Sequence, residues 1–272
     1  MDNQFCVKIP SVNIALGRLE FVLEKCKRRK VLHLGCVDEV MLTEGIKEKN
    51  QLTHFMLSRV AREVWGMDIS KKGIEMLRGI GVNNLFLGNI ENIEGIKELK
   101  GQNFDIILAT EILEHLNNPG LFLQGVKSLF SANTEMIITV PNALQFSAFE
   151  YGLRGFEFVH PAHNFYFSYR TLYNLLVKHN FEINQVLSYS NVDWRSSILL
   201  RIGSKIKRNF KRASLRKKKI SSNEMLIKTE GSFTKINRNF KEIIGILIRR
   251  ILYKRNPFFA DGIIFVARYK NQ

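Results

Sequence analysis

Glu111, Glu114 and His115 stand close together near the middle of the chain. Spaced i, i+3 and i+4, they share one face of a helix, and two carboxylates with an imidazole are the ligand types of a divalent-cation site. The plainer reading puts Glu111 on a pocket wall and leaves His115 packed or hydrogen-bonded in the core. A second group lies in an aromatic stretch that runs through Phe146, Phe149, Tyr151, Phe156, Phe158, His160, Pro161, His163, Phe165 and Tyr166. An imidazole titrates near neutrality, so His163, and after it His160, could take the proton of an acceptor hydroxyl. Histidines among aromatic side chains also serve a purely structural purpose. The third group is Gly35, which ends the apolar run Val31-Leu32-His33-Leu34, and Asp68, which ends Val64-Trp65-Gly66-Met67. Glycine after the first strand of a nucleotide-binding α/β unit lets the backbone approach a ligand. An acid closing the second strand accepts both ribose hydroxyls. Their separation exceeds the usual gap of about 20 residues, and the mostly polar stretch 40–50 takes up the excess.

These side chains need an alternation of strands and helices to carry them. Short apolar runs at 31–34, 64–68, 85–87, 104–109, 136–140 and 181–188 read as strands. Amphipathic stretches at 11–29, 52–62, 121–130 and 170–179 read as helices, as does the stretch from the N-cap Ser70 to Leu77, which Gly79 and Gly81 terminate. A further helix after 104–109 would carry Glu111, Glu114 and His115. The topology then requires one more strand, antiparallel, and the apolar run at 262–267 supplies it. The expected fold is α/β: a Rossmann-like, doubly wound, seven-stranded sheet whose last strand is antiparallel. Substrate-facing groups belong in the loops beyond the C-terminal ends of strands four and five.

The order of segments resembles a class I S-adenosylmethionine-dependent methyltransferase over roughly residues 28–190, close to its quinone-precursor O-methyltransferase and saccharide-methylating groups. His33-Leu34-Gly35-Cys36 is similar to the glycine-rich first motif, Asp68 with Ile69 to the ribose-binding strand end, and Leu87-Gly88-Asn89-Ile90 to the adenine-contacting turn. Phe104-Asp105-Ile106-Ile107-Leu108-Ala109-Thr110-Glu111 and the following Ile112-Leu113-Glu114-His115-Leu116 resemble its fourth strand and next helix. The resemblance implies that S-adenosylmethionine is held by His33, Gly35, Cys36, Asp68, Ile69, Asn89, Ile90, Thr110 and Glu111. Quinone-precursor and small-RNA 2′-O-methyltransferases use a Glu-x-x-Glu-His for a magnesium-like ion, which implies the alternative metal set Glu111, Glu114 and His115. The chain departs from the pattern where the family has an acid in place of His33 and glycines in place of Val37 and Glu39. Asp38 and Glu39 add negative charge at that loop, favourable to an ammonium or sulfonium group.

Charge is spread unevenly. Residues 1–200 hold 21 basic and 21 acidic side chains, whereas residues 201–256 hold 18 against 3 and so carry nearly all of the net +16. A neutral body with a basic insert describes a surface that the protein meets. Within the insert, Phe240, Ile243, Ile244, Leu247, Ile251 and Leu252 fall on one helical stripe flanked by Lys and Arg, the pattern of a helix lying in an anionic membrane interface. The three cysteines, Cys6, Cys26 and Cys36, have no metal or redox spacing, which fits a reducing compartment. The N-terminus lacks a signal-peptide pattern, and no window is apolar enough to span a bilayer. The expected organisation is a methyltransferase core at 1–190, a basic, partly amphipathic insertion at 191–260 and the last strand of the core at 261–272. The expected setting is the cytoplasm, peripheral on the inner membrane face. The expected reaction is O-methylation of a saccharide or of a lipid-linked or small-molecule acceptor. An RNA or tRNA methyltransferase that clamps phosphates with the insertion, and a non-catalytic scaffold, are the rival readings.

Overall fold

A computed structural model describes residues 13–15, 17–38, 41, 44–45, 51–190, 251, 253 and 256–270. The elements in chain order are β1 (Asn13–Ile14), α1 (Arg18–Cys26), β2 (Lys30–Leu34), α2 (Thr53–Val60), β3 (Glu63–Asp68), α3 (Lys71–Gly79), β4 (Leu85–Leu87) and β5 (Ile106–Thr110). There follow α4 (Pro119–Val126), β6 (Glu135–Pro141), α5 (Phe146–Gly152), α6 (Tyr169–Lys178), β7 (Phe181–Tyr189) and β8 (Gly262–Tyr269). The strands form one sheet in the order β1-β7-β8-β6-β5-β2-β3-β4. All neighbours are parallel except β8, which runs antiparallel to both β6 and β7. The expected seven-stranded sheet with an antiparallel last strand is therefore present, with β1 added as a two-residue eighth strand at the β7 edge.

The sheet is buried on both faces, and the alternation of side chains along each strand divides the core in two. Val31, Ile106, Leu108 and Ile137 pack with Val22 and Cys26 of α1 and Leu57 of α2. Leu32, Leu34, Ile107, Ala109 and Ile138 pack with Phe122 and Val126 of α4 and Leu172 and Leu176 of α6. A third, smaller cluster seats Ile74 and Leu77 of α3 against Leu85 and Cys36. Side-chain caps start α3, at the Ser70 expected from the sequence, and α4. Ser70 Oγ accepts from Gly73 N–H at 3.1 Å, and Asn118 Oδ1 accepts from Leu121 N–H just ahead of Pro119.

Two expected helices differ. The N-terminal one begins only at Arg18, because Asn13 and Ile14 instead pair their backbone with Leu187 and Ser188 along the open edge of β7. The helix expected after β5 does not form: Glu111 adopts a left-handed φ of 50°, and only Leu113–His115 makes a single 3₁₀ turn. Pro119 holds Asn118 extended and cuts off any continuation. The side-chain amide of Asn164 donates instead to the carbonyls of His115 and Leu116, the first of which would face the N–H-less Pro119 in a longer helix. Helix α5, within the aromatic stretch, was not anticipated.

The chain divides into two compact units, residues 1–190 with 257–272, and residues 191–256. The amphipathic stripe at 240–253 lies almost wholly outside the described residues, as do the rest of the basic insertion, Glu39 and most of the 40–50 stretch.

Candidate functional site

A cavity of about 600 Å³ opens above the C-terminal ends of β2, β3 and β5. The strand ends bring His33, Gly35, Asp68, Thr110 and Glu111 into its wall, and His115 and Ala162 complete its upper side. Gly35 has φ 68°, and a Cβ on it would lie 2.3 Å from Ile112 Cδ1, so any other residue there would be strained and would have to displace the Ile112 side chain. The amides of Gly35 and Cys36 both donate to the Met67 carbonyl, which bends the loop back over β3. Val37 N–H donates to Asp68 Oδ2 at 3.0 Å and Ser70 N–H to Oδ1 at 2.8 Å. Asp68 is thereby fixed beside Gly35. Burial pushes its carboxyl upward, and the backbone donors pull it back. A second acid of the wall, Asp38, accepts from the backbone and hydroxyl of Thr53 at the start of α2, and burial again raises its carboxyl.

Glu111 sits at the junction of cavity and core. Its Oε1 accepts from Tyr189 OH at 2.7 Å and from Thr139 Oγ1 at 2.9 Å, with Arg18 Nη1 3.5 Å away. A left-handed non-glycine residue is held only by surroundings that over-determine it, and these three partners do so. Burial, then the charge of Glu111, raises the phenol of Tyr189 well above its ordinary value and keeps it a donor. Asp38 is legible in the sequence as an acid of this loop, but Arg18, Thr53 and Tyr189 escape sequence reading because nothing local marks them: Tyr189 reaches Glu111 across 78 residues of chain.

Above this floor the 3₁₀ turn is stapled to the segment after His160. Asn164 and Phe165 N–H donate to the Glu114 carbonyl, at 2.7 and 3.1 Å. The staple gathers three imidazoles: the His115 ring is 4.7 Å from His163 and 6.1 Å from His160, and His160 is 5.1 Å from His163. His115 Nδ1 donates to Ala162 O at 3.1 Å, which leaves the Nε2 lone pair available. Glu114 is 1% exposed, and neither of its carboxylate oxygens has a hydrogen-bond partner. Burial, and next the charge of Glu111, pushes its carboxyl up to about 8. Ligand atoms of Glu114, His115 and His163 all lie within 4.8 Å of one another. The expected set of Glu111, Glu114 and His115 is not assembled on one helical face, since that helix is absent; His163 stands with the other two where Glu111 was expected.

Cys36, Ile69, Asn89, Ile90, His160 and His163 are not among the residues lining the cavity; the two histidines reach it through His115, which does line it. Cys36 is a buried thiol raised by desolvation, in keeping with a space-filling role. Ile69 is exposed and Ile90 buried. The Asn89 side-chain oxygen accepts from Glu91 N–H and caps the turn Ile90–Gly95.

The family described as a methyltransferase domain matches residues 13–186. A SAM-dependent methyltransferase from Archaeoglobus fulgidus is similar in structure, with a TM-score of 0.50 and 19% identity over 92% of this chain and 90% of its own. So is a chain from the complex of the Trm112 methyltransferase activator with its methyltransferase from Haloferax volcanii, with a TM-score of 0.51 and 9% identity over 93% of this chain and 88% of its own. No curated protein matches the chain.

Proposed function

The chain belongs to the methyltransferase domain family and is a class I, S-adenosylmethionine-dependent enzyme, and from that premise we propose that it methylates a hydroxyl of a saccharide or lipid-linked acceptor at an anionic membrane face. The observation that carries the reading is the cavity, whose wall brings the side-chain-free Gly35 and the fixed carboxylate of Asp68 together with His115, the ring against which His163 and His160 cluster. S-adenosylmethionine, when bound, supplies a methyl group activated on a sulfonium. Asp68 would hold the ribose hydroxyls with the lone pairs that its two backbone donors leave over. Asp38 and Glu111 would face its cationic groups, and Arg18 its carboxylate. His163, with His160 next to it, would take the acceptor's hydroxyl proton as the oxygen gains the methyl group, and pass it to solvent. Alignment in the cavity supplies much of the remaining acceleration.

The membrane face is supported by the segment that leads into His160. Phe149, Leu153, Phe156 and Phe158 are exposed within ten residues of one another, a density of apolar side chains that marks an interaction surface. Calorimetry with S-adenosylmethionine, followed by mass spectrometry of glycolipid and saccharide acceptors, tests the proposal. The expected result is micromolar cofactor binding and a 14-Da gain on an acceptor hydroxyl, in line with usual enzyme affinities of about 1 μM to 1 mM. No heat at millimolar cofactor overturns it.

A second reading is favoured by the bare carboxylate of Glu114. Glu114, His115 and His163 suit a divalent cation, with the His115 Nδ1–H bond to Ala162 O orienting the ring as carbonyls orient metal-bound histidines. On this reading Glu114, His115 and His163 would hold an ion that would supply polarisation of the acceptor hydroxyl, and His163 would be a ligand in place of a base. Melting with and without manganese or magnesium separates the two: a rise in Tm that Glu114→Gln abolishes favours the ion, and no rise favours the base.

A further inference from the structure

His33 and His54 take no part in the chemistry above, yet the chain makes room for them in an unusual way. His33 lies in β2 opposite Gly66 of β3, and His54 lies in the first turn of α2. A Cβ on Gly66 would stand 2.6 Å from His54 Cε1, so the glycine inside a buried strand is what lets His54 reach the sheet. The two Nδ1 atoms are 3.2 Å apart, the rings are stacked with 12° between their planes, and both side chains are buried. A bond between two like ring nitrogens needs a hydrogen on one and a lone pair on the other. With both rings neutral the pair is made of opposite tautomers, and two imidazolium rings cannot form it.

His33 also lines the cavity. If His54 were the donor, His33 would carry its hydrogen on Nε2 and offer a donor to a cofactor end that already bears an ammonium and a sulfonium. If His33 is the donor, its Nε2 offers a lone pair. We propose that His54 is a positioning residue that accepts the Nδ1–H of His33 and so turns an unprotonated, neutral Nε2 toward the cationic end of S-adenosylmethionine; this rests on the cofactor reading above. The surroundings agree on neutrality. Burial is the main cause that lowers both rings, His54 to about 4, and Arg18 and His54 add positive charge against His33. The other charged groups of the cavity wall are Asp38, which accepts from Thr53 next to His54, Asp68 and Glu111, and the Cys36 thiol beside Gly66 is uncharged. His33 thus does as a lone-pair acceptor what the resembled family does with an acid at this position.

The test uses the whole chain with ¹⁵N-labelled histidine. NMR should show His33 protonated on Nδ1 and bare on Nε2; an Nε2–H signal for His33 overturns the proposal, whether or not cofactor binds. The second measurement is the pH profile of cofactor Kd for the wild type and for His54→Phe, which keeps a ring but has no acceptor. Burial holds His33 neutral in both chains, so both should bind evenly from about pH 8 to about pH 5, but His54→Phe should bind about tenfold more weakly at every pH and its His33 should gain an Nε2–H signal, because nothing then fixes the tautomer. Superimposable profiles would refute the pairing. Should the wild type bind no cofactor, the functional reading fails while the tautomer measurement still decides the pair; should His54→Phe not fold, the same measurement on the wild type stands.

Discussion

Asp68 does two jobs with one carboxylate. Its oxygens accept from Val37 and Ser70 N–H, so the residue assigned to the ribose also ties down the loop that follows Gly35. Asp68→Ala should weaken S-adenosylmethionine binding by at least about tenfold in calorimetry, the equivalent of about 1.4 kcal/mol and within the range of a charge-assisted hydrogen bond. It should also lower Tm in the absence of cofactor, because two amides lose their acceptor. Unchanged affinity would remove the ribose assignment. The histidine pair gives a prediction of opposite chemical origin. An unfolded histidine takes up its proton near about pH 6.5, whereas folded His54 resists until about 4. The unfolded chain binds more protons in that window, so this contribution to stability is full above it and is lost as pH falls through it. Denaturant midpoints measured on descending from about pH 7 to about pH 5 should therefore fall less steeply in His54→Phe than in the wild type. Asp68 and Gly35 were legible in the sequence because each closes a strand. Arg18, Tyr189 and His54 were not, because their partners are brought to them by the sheet and no spacing announces it.

Helix α3 and the loop before α2 show how an element absorbs a missing glycine. Val37 stands where the resembled family has glycine, and a Cβ added at Gly73 would lie 2.4 Å from Val37 Cγ1 and 3.0 Å from its Cβ. The bulk gained at 37 is housed in the space vacated at 73, in the first turn of α3, and the cavity wall stays open. Gly73→Ala should therefore push Val37 into the cavity and reduce cofactor affinity several-fold, and Val37→Gly in the same chain should restore it, an interaction of about 0.5–3 kcal/mol for contacting residues. Additive losses in that double-mutant cycle would mean that the two positions are independent. Ser70→Ala serves as the control: it removes a cap and about 1 kcal/mol of stability, but it keeps the backbone N–H that binds Asp68, so affinity should hold. The order of strands and helices was legible from the alternation of apolar runs. The turn at Leu113–His115 was not, since Glu111, Glu114 and His115 carry a helical spacing that Pro119, the Asn164 amide and the left-handed Glu111 override. Two of the residues expected to share a helix face, Glu114 and His115, still meet a third ligand, but through the loop that holds His163.

At the scale of the molecule, the sheet is interrupted by a long basic segment before its last strand inserts between β6 and β7. The run at 262–267 could be assigned to that strand because a doubly wound sheet needs an antiparallel return, and the observed strand is Gly262–Tyr269. The charge of 201–256 follows no requirement of the fold; residues 1–200 are balanced without it. Near an anionic surface each Lys or Arg is worth about 1 kcal/mol, so on the proposed membrane reading the segment would supply a strong but salt-sensitive attraction, and the exposed Phe149, Leu153, Phe156 and Phe158 would supply an apolar one that salt does not screen. The two contributions are separable by sedimentation with vesicles. The wild type should bind vesicles containing phosphatidylserine at low salt and ignore neutral ones. Raising salt should release most of the protein, and Phe149→Ser with Phe156→Ser should release more at every salt concentration while leaving cofactor affinity in solution unchanged. Tight, salt-dependent binding to RNA, indifferent to those two substitutions, would instead identify the basic segment as a phosphate clamp and move the acceptor from the membrane to nucleic acid.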